Sequence, residues 1–300
     1  MSSVDIAVRN VKSQTSSASQ ALLIVESGIT RFEYVPLHVI ALAMKMSSER
    51  ARHLLDLLVK DDLLRAVGAP YRGYTLTYAG ADLLALKTLA DENVLSAVGK
   101  PLGVGKESDV YDALLEDGDE VVAVKFHRVG RISFRQTRRL RGYAAGERAG
   151  WIVQAKRAAA REFEALVKLH GSQASVPKPI YRTRHVVVMS ALDGRPLIEY
   201  SQPISRQLVE ELFSNMRAMY EAGVVHADLS EYNILVSEEG HLKLFDFPQW
   251  VSPSHKSADR YLASDINNLQ TFLLKRNVPP PVFTSILNYV RGAVERLEWT

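Results

Sequence analysis

The sequence predicts an α+β protein of two domains, a small helical domain that ends in a β-hairpin and a larger domain with two lobes. Helical periodicity dominates residues 1–92, whereas short apolar strands alternate with helices and glycine-containing loops over 93–300. A chain of 300 residues, of which 47% are hydrophobic and 24% charged, has room for both domains. We place the division between the two lobes near residue 190, giving an N-lobe of about 93–190 and a C-lobe of about 191–300.

The N-terminal domain is expected to contain three helices, near Ala18–Gly28, Leu37–Met46 and Ser47–Lys60. The third helix has an apolar stripe at i, i+3, i+4 and i+7, formed by Ala51, Leu54, Leu55 and Leu58. Two strands, Leu63–Val67 and Tyr74–Thr77, flank the loop GAPYRG, whose Gly and Pro residues favour a projecting turn. Helices followed by such a hairpin are typical of a winged helix-turn-helix domain.

A winged helix suggests nucleic-acid binding through the exposed face of the third helix and through the wing. The candidate side chains are Arg50, Arg52, His53, Tyr71 and Arg72. Residues 1–92 hold ten basic and ten acidic side chains, however, and phosphate binding depends on an excess of Lys and Arg. Protein contact or a scaffold role therefore stays open as an alternative.

Charge is distributed unevenly along the chain. Between Lys125 and Arg161 there are eleven Lys or Arg and one acidic residue, whereas the remainder holds 26 basic and 33 acidic residues. Such a basic segment predicts phosphate-rich partners. Its central part, His127–Ala149, interleaves Phe134 and Tyr143 with arginines, a composition that suits RNA phosphates and unpaired bases. A disordered, solvated loop is the alternative.

The sequence gives few indications of compartment. It has no cysteine, so disulfides and thiolate metal sites are excluded. Its first residues, MSSVDIAVRN, lack the features of a signal peptide, and no apolar run is long enough to span a membrane. We therefore expect a cytoplasmic protein without membrane contact.

The stretch HADLSEYN carries the predicted chemistry. It places Asp228 two residues after His226 and five before Asn233. The runs Ile234–Val236 and Leu242–Phe245 predict a hairpin whose ends bring Asn233 beside Asp246, where their oxygens can share a hard cation. Phosphoryl transfer needs bound metal and a carboxylate at the acceptor hydroxyl. We therefore predict Asp228 as catalytic base, and Asn233 and Asp246 as Mg²⁺ ligands for ATP.

Upstream residues predict a nucleotide lid. The glycine pattern G-x-G-x-x-G-x-V is matched, with serine at the third glycine, by Gly103, Gly105, Ser108 and Val110. A Walker A loop is excluded because Lys106 is followed by Glu107. The strand Val121–Phe126 places Ala123 and Lys125 on one face, toward adenine and phosphates.

The remaining candidates complete a nucleotide pocket. In the helix near Ala155–His170, both Glu162 and Glu164 are possible partners of Lys125, and we choose Glu162. The strand His185–Ser190 leads into a hinge, where Met189 would line the pocket. Main-chain groups of Ser190 and Leu192 would bind the adenine edge.

Several motifs together resemble the RIO family of atypical protein kinases, in the subfamily with an N-terminal winged helix: FEYVPL, GKESDVY, VAVKFHRVGRISFR, REFEAL, HADLSEYN and DFPQWVSPSHKSADRY. DFPQ followed by SPSH is the most discriminating, because ordinary protein kinases have DFG there. The compact, cysteine-free chain is similar to archaeal members.

The resemblance implies ATP with Mg²⁺, or Mn²⁺ as an alternative metal, and places Lys106 and Ser108 near the phosphates. It implies catalytic roles for Asp228, Asp246 and Lys125, with phosphate passing transiently to Asp246. It also implies a role in maturing the small ribosomal subunit. The expected partners are the subunit precursor and its rRNA, with a ribosomal protein or the chain itself as phosphate acceptor.

Two departures from ordinary kinases affect the expected substrate. Pro248 replaces the flexible glycine, and the short span before the helix Ala258–Arg276 lacks A-P-E, so we expect no peptide-docking platform. Asp265 in that helix is expected to hold the catalytic-loop backbone, and Pro281–Thr300 to form a last helix. The alternatives are a nucleic-acid-binding regulator that only senses ATP and a small-molecule phosphotransferase.

Overall fold

The computed structural model describes residues 2–118, 120–129 and 150–299. The chain forms two compact units, the first comprising Met1–Arg157 with Thr183–Val186 and the second Ala158–Arg182 with Val187–Thr300. The first unit thus contains both the N-terminal helices and the strands that follow them. The domain boundary between residues 92 and 93 stays a prediction.

The first unit begins with helices and a small sheet. Its elements in this part are α1 Ser3–Val11, α2 Ser16–Gly28, β1 Val35–Pro36, α3 Leu37–Ala43, α4 Ser48–Lys60, β2 Leu64–Val67, β3 Gly73–Leu76 and α5 Tyr78–Asp91. The three predicted helices and the hairpin are confirmed, with α3 ending three residues early. Sequence reasoning missed α1, although Ser2 and Asp5 form a capping box at its start.

The N-terminal sheet has the order β1-β3-β2 and is antiparallel throughout. Tyr74 in β3 is fully buried and lies opposite Val35 of β1 and Ala66 of β2. Side chains of α2 and α4, including Leu22 and Leu55, are buried completely. The helices and the three-stranded sheet form a winged helix, as the sequence predicts.

Three further strands belong to the first unit, β4 Leu95–Val104, β5 Ser108–Leu115 and β6 Val121–His127. They are antiparallel in the order β4-β5-β6. Irregular register in the β4–β5 ladder between Val98 and Gly103 accommodates the glycine-containing end of β4. The helix α6 Trp151–Leu169 begins in this unit and continues in the second.

The second unit is mainly helical around a small sheet. After α6 come β7 Pro179–Thr183 and β8 Val186–Ser190, whose adjoining ends Thr183 and Val186 are grouped with the first unit. The remaining elements, all in the second unit, are β9 Arg195–Pro196, α7 Arg206–Glu221, β10 Ile234–Val236, β11 Leu242–Leu244, α8 Ala258–Lys275 and α9 Phe283–Val290. Single 3₁₀ turns occupy Leu197–Glu199 and Glu231–Asn233. The sheet order β11-β10-β9 places β10 at the centre, and α7 and α8 contribute buried Phe213, Phe272 and Leu273.

The predicted last helix, Pro281–Thr300, is wrong in length. The helix α9 stops at Val290 because Gly292 adopts φ of +73°, which ends the helix. The amide of Gly292 donates to the Tyr289 carbonyl at 3.0 Å, and that of Ala293 to the Asn288 carbonyl at 2.8 Å. Val294, expected on the apolar stripe, is instead 36% exposed.

Candidate active site

One buried carboxylate holds the backbone of the predicted catalytic loop, residues 226–233. Asp265 of α8 accepts hydrogen bonds from the backbone amides of Ala227 and Leu229, each at 2.9 Å. The Asn268 side chain donates to the Leu229 carbonyl at 3.0 Å. Asp228 lies between these two clamped amides with its own side chain exposed. The prediction that Asp265 holds this backbone is confirmed.

Asp265 is 1% exposed, and its surroundings change its acidity. Burial, together with the charge of Asp228, raises the pKa of Asp265 to about 7, against the two amide hydrogen bonds, which lower it. Ala227 has φ of 69°, a left-handed conformation that costs a β-carbon-bearing residue about 1 kcal/mol. The hydrogen bond from its amide to Asp265 stabilises this conformation.

The hairpin β10–β11 brings the two predicted metal ligands to the same end. Ile234 pairs with Leu244, and the Phe245 amide donates to the Asn233 carbonyl at 3.0 Å. Asp246 therefore follows directly after the residue bonded to Asn233. Asp246 has φ of 72°, a conformation that Asp and Asn adopt more easily than most residues.

Hydrogen bonds orient the groups around these ligands. The Ser230 hydroxyl donates to Asn233 Oδ1 at 3.1 Å. His226 is buried, with Nε2 3.2 Å from the Phe245 carbonyl and its ring 4.7 Å from that of Phe247. The catalytic loop and the segment after β11 are thus joined on both sides of Asp246.

Asn233 and Asp246 provide one amide and one carboxylate oxygen donor, and both side chains are partly exposed. This donor set fits Mg²⁺, which usually binds one or two carboxylates and completes its shell with water and phosphate oxygens. In residues 2–118, 120–129 and 150–299, no group of three or more His, Asp or Glu side chains could hold a metal.

The first unit carries the predicted lid residues in a tight antiparallel turn. The Gly105 amide donates to the Ser108 carbonyl at 2.8 Å, and Gly103 pairs with Val110. Val110 in turn lies opposite Lys125. A β-carbon at Gly103 would meet no atom within 4 Å, so the backbone there is open on that side. These residues form one contiguous surface of β4, β5 and β6.

Burial distinguishes the residues that the sequence predicts around the nucleotide. Lys125 is 5% exposed in the first unit, and Glu162 is 1% exposed in the second, whereas Glu164 is exposed. The burial favours Glu162 over Glu164, while the pairing with Lys125 stays a prediction. Met189 at the end of β8 is 6% exposed. Ala123 of β6 is also buried.

The hinge residues are only partly available for adenine. The Ser190 amide donates to the Lys178 carbonyl at 2.9 Å, and the Ser190 hydroxyl accepts from the Lys178 amide at 2.9 Å. The Ser190 amide is therefore already engaged in the pairing of β8 with the chain before β7. Adenine binding by Ser190 carbonyl and Leu192 main-chain groups stays a prediction.

Two residues of DFPQW to which the sequence analysis assigned no role contact functional elements. Gln249 Nε2 donates to Asp228 Oδ2 at 3.4 Å. The indole Nε1 of Trp250 donates to the Arg161 carbonyl at 2.7 Å. Only their position just after the predicted metal ligand Asp246 could have indicated these contacts, because the partners lie far away in sequence.

Some basic side chains of the predicted nucleic-acid surfaces are paired with acidic groups or buried. Arg72 of the wing bonds Asp56 at 2.6 Å, and Arg52 lies 3.5 Å from the same carboxylate. In the basic segment, Arg128 is fully buried, and Lys156 pairs with Glu26 at 2.8 Å. Phe134 and Tyr143, which the sequence analysis suggested for RNA binding, lie outside the described residues, as do the arginines between them.

Family models match most of the chain. The model described as "Rio2, N-terminal" matches residues 14–92, and the RIO domain matches residues 109–285. The latter range contains the predicted catalytic loop, the metal ligands and β6. Among the described residues, no helix is both long enough and apolar enough to cross a membrane.

Named relatives agree with these matches. A serine/threonine-protein kinase rio2 of Dictyostelium discoideum is 37% identical over 86% of this chain, which spans about half (49%) of that protein. A RIO-type serine/threonine-protein kinase Rio2 of Methanocaldococcus jannaschii is 37% identical over 82% of this chain and 92% of its own length.

A solved structure of a Rio2 kinase also matches this chain. The crystal structure of the Rio2 kinase-ADP/Mg²⁺-phosphoaspartate complex from Chaetomium thermophilum matches with a TM-score of 0.77 and 30% identity, covering 96% of this chain and 93% of that one. The sequence motifs, the winged helix and the clamped catalytic loop agree with these likenesses. The chain belongs to the RIO kinase family and carries the N-terminal domain of its Rio2 branch.

Proposed function

We propose that this RIO kinase binds Mg-ATP and acts as an atypical serine/threonine protein kinase or ATPase in maturation of the small ribosomal subunit. The observation that carries the enzymatic part is the clamped catalytic loop. It presents Asp228 to solvent between two amides fixed by Asp265, next to the hairpin end that bears Asn233 and Asp246. The related Chaetomium structure, a complex with ADP and Mg²⁺, supports nucleotide and Mg²⁺ as cofactors.

Asp228 is the residue to take a proton from the attacking hydroxyl or water. Its exposure leaves the carboxylate accessible to an acceptor, and Gln249 donates to one of its oxygens at 3.4 Å. Because the flanking amides are fixed by Asp265, the carboxylate needs little reorganisation when the acceptor arrives.

Asn233 and Asp246 would hold Mg²⁺, which when bound neutralises charge on the phosphates. In the first unit, the buried Lys125 would contribute its ammonium group to phosphate binding, with Glu162 as its partner. The open backbone at Gly103 and the turn closed by Gly105 and Ser108 would approach the phosphate oxygens.

We also propose an ATPase cycle in which an Asp246 carboxylate oxygen takes the γ-phosphoryl group of ATP and releases ADP, and water then hydrolyses the acyl phosphate to free phosphate. The related Chaetomium kinase was crystallised as a phosphoaspartate complex, which supports this step for the present chain. An acyl phosphate is cleaved by hydroxylamine. Labelled γ-phosphate should therefore give hydroxylamine-sensitive label on the wild type and none on Asp246→Asn, and absence of label on the wild type would contradict the step.

The proposed biological partner is the small-subunit precursor with its rRNA, in the cytoplasm, and the phosphate acceptor is a ribosomal protein or the chain itself. Support comes from the family resemblance and from the excess of Lys and Arg between residues 125 and 161.

Transfer of labelled γ-phosphate from Mg-ATP tests this proposal, with wild type and Asp228→Ala compared in the presence and absence of purified small-subunit precursors. Turnover that the precursors stimulate and the substitution abolishes is expected. ATP binding without turnover in both conditions would overturn the enzyme proposal in favour of an ATP-sensing regulator. Turnover that precursors leave unchanged would overturn the ribosomal part alone.

A further inference from the structure

Reciprocal hydrogen bonds join helix α6 to the segment that follows the predicted metal ligand Asp246. The indole Nε1 of Trp250 donates to the Arg161 carbonyl at 2.7 Å, and the Arg161 guanidinium donates back to the Trp250 carbonyl. Trp250 is 7% exposed, and the Lys168 ammonium lies 5.6 Å from its ring centroid. We call this pair of contacts between Arg161 and Trp250 the α6 latch.

Each end of the latch is next to a residue of the proposed site. Arg161 immediately precedes Glu162, which is 1% exposed and is the proposed partner of Lys125. Trp250 ends the five-residue segment that begins with Asp246 and includes Gln249, which contacts Asp228 at 3.4 Å. The latch therefore connects the helix that carries the glutamate to the segment that carries the metal ligand.

We propose that Arg161 and Trp250 are positioning residues for phosphoryl transfer. In kinases the Lys–Glu pair and the metal-binding aspartate must be in place together. The α6 latch fixes α6 against the Asp246 segment, so that Glu162 and Asp246 are held in one arrangement. This inference rests on the proposed function but adds a role for two residues to which that function assigns none.

Trp250→Phe is the most specific test, because it removes the indole donor and keeps an aromatic ring. Trp299→Phe is the matched control, since the buried Trp299 Nε1 has no hydrogen-bond partner in the described part of the chain. Loss of one hydrogen bond, at the upper end of its usual net contribution, corresponds to a fall of about tenfold in kcat. We expect that fall for Trp250→Phe, with KM for ATP within about threefold of wild type and no change for Trp299→Phe.

The guanidinium side of the latch offers a rescue experiment. Arg161→Lys keeps a donor for the Trp250 carbonyl, whereas Arg161→Met removes it. We expect Arg161→Lys to retain most of the wild-type kcat and Arg161→Met to lose about as much as Trp250→Phe. Equal kcat values for Arg161→Met and wild type, or a change in KM alone, would overturn the proposal.

Amide hydrogen exchange separates failure of this inference from failure of the proposed function. If the wild type turned over no ATP, the proposed function would fall, but exchange in residues 158–169 would still report on the latch. Faster exchange there in Trp250→Phe than in Trp299→Phe is expected. Equal exchange in the two variants would overturn the latch, whatever the activity of the wild type.

Discussion

The two units use buried charge in opposite ways. In the first, Arg128 is fully buried and bonds Asp82 at 2.6 Å and Asp109 at 2.7 Å, while His185 Nε2 lies 2.8 Å from Asp82. In the second, Asp265 is buried against two backbone amides and supports the exposed Asp228. The first arrangement satisfies its charges internally, whereas the second holds a carboxylate available to a ligand.

The pKa values of the buried carboxyl groups differ between the two units in the same way. Burial alone would raise the pKa of Asp82, but attraction to Arg128 and the hydrogen bond with His185 outweigh it and lower the pKa. Burial raises the pKa of Asp265 to about 7, because no comparable cation contributes to its shift. A buried charge that opposite charges compensate therefore stabilises the fold, whereas an exposed carboxylate on a fixed backbone is available for catalysis.

The largest effect is expected at Asp246, the proposed metal ligand. Asp246→Asn keeps a residue that tolerates φ of 72° but loses the negative charge. We expect Mg²⁺-dependent ATP turnover to fall about 100-fold or more, since a metal contributes several kcal/mol to transition-state stabilisation. Steady-state rates over a Mg²⁺ titration measure this, and wild-type rates at every Mg²⁺ concentration would assign the metal to other residues.

Arg128→Met should destabilise the first unit strongly. Removing the guanidinium leaves Asp82 and Asp109 buried without their cation, which costs about 3–5 kcal/mol in free energy of unfolding. Urea unfolding measures the loss. Asp82→Asn combined with Asp109→Asn and Arg128→Met should recover part of it, and a loss below about 1 kcal/mol in the single variant would show that the cluster is not compensated as described.

The cluster of Arg128 with Asp82 and Asp109 could not be predicted from the sequence. The placement of Asn233 beside the residue before Asp246 was predictable because both lie at the ends of one local hairpin, and Asp228 precedes that hairpin by only a few residues. Arg128 was counted with the basic segment, since its partners Asp82 and Asp109 are distant in sequence and only the fold brings them together. The early end of α9 depends likewise on the backbone at Gly292, which an apolar stripe does not reveal.

Asp265 should give stability a pH dependence. Because its pKa is about 7 in the folded protein and 3.8 ordinarily, the folded state holds a proton more tightly across that window. Its contribution to the free energy of unfolding therefore falls as pH rises, by about 2 kcal/mol between pH 5 and 7. Urea unfolding at both pH values should show this fall in wild type and not in Asp265→Asn. Identical pH dependence would mean that Asp265 titrates normally.

The smallest effect is expected at an exposed pair. Arg52 lies 3.5 Å from Asp56, and its side chain is 61% exposed. Arg52→Ala should change the free energy of unfolding by less than about 0.5 kcal/mol, because solvent screens such pairs. A larger loss in urea unfolding would show that charge outside the buried cluster also stabilises the winged helix.

One pair of measurements on Asp228→Asn tests the central claim, that the exposed carboxylate serves chemistry and not the fold. ATP turnover should fall about 100-fold or more, as expected for loss of a general base. The free energy of unfolding should stay within about 0.5 kcal/mol of wild type, because the side chain is exposed. Undiminished turnover, or a loss of stability similar to that of Arg128→Met, would contradict the account.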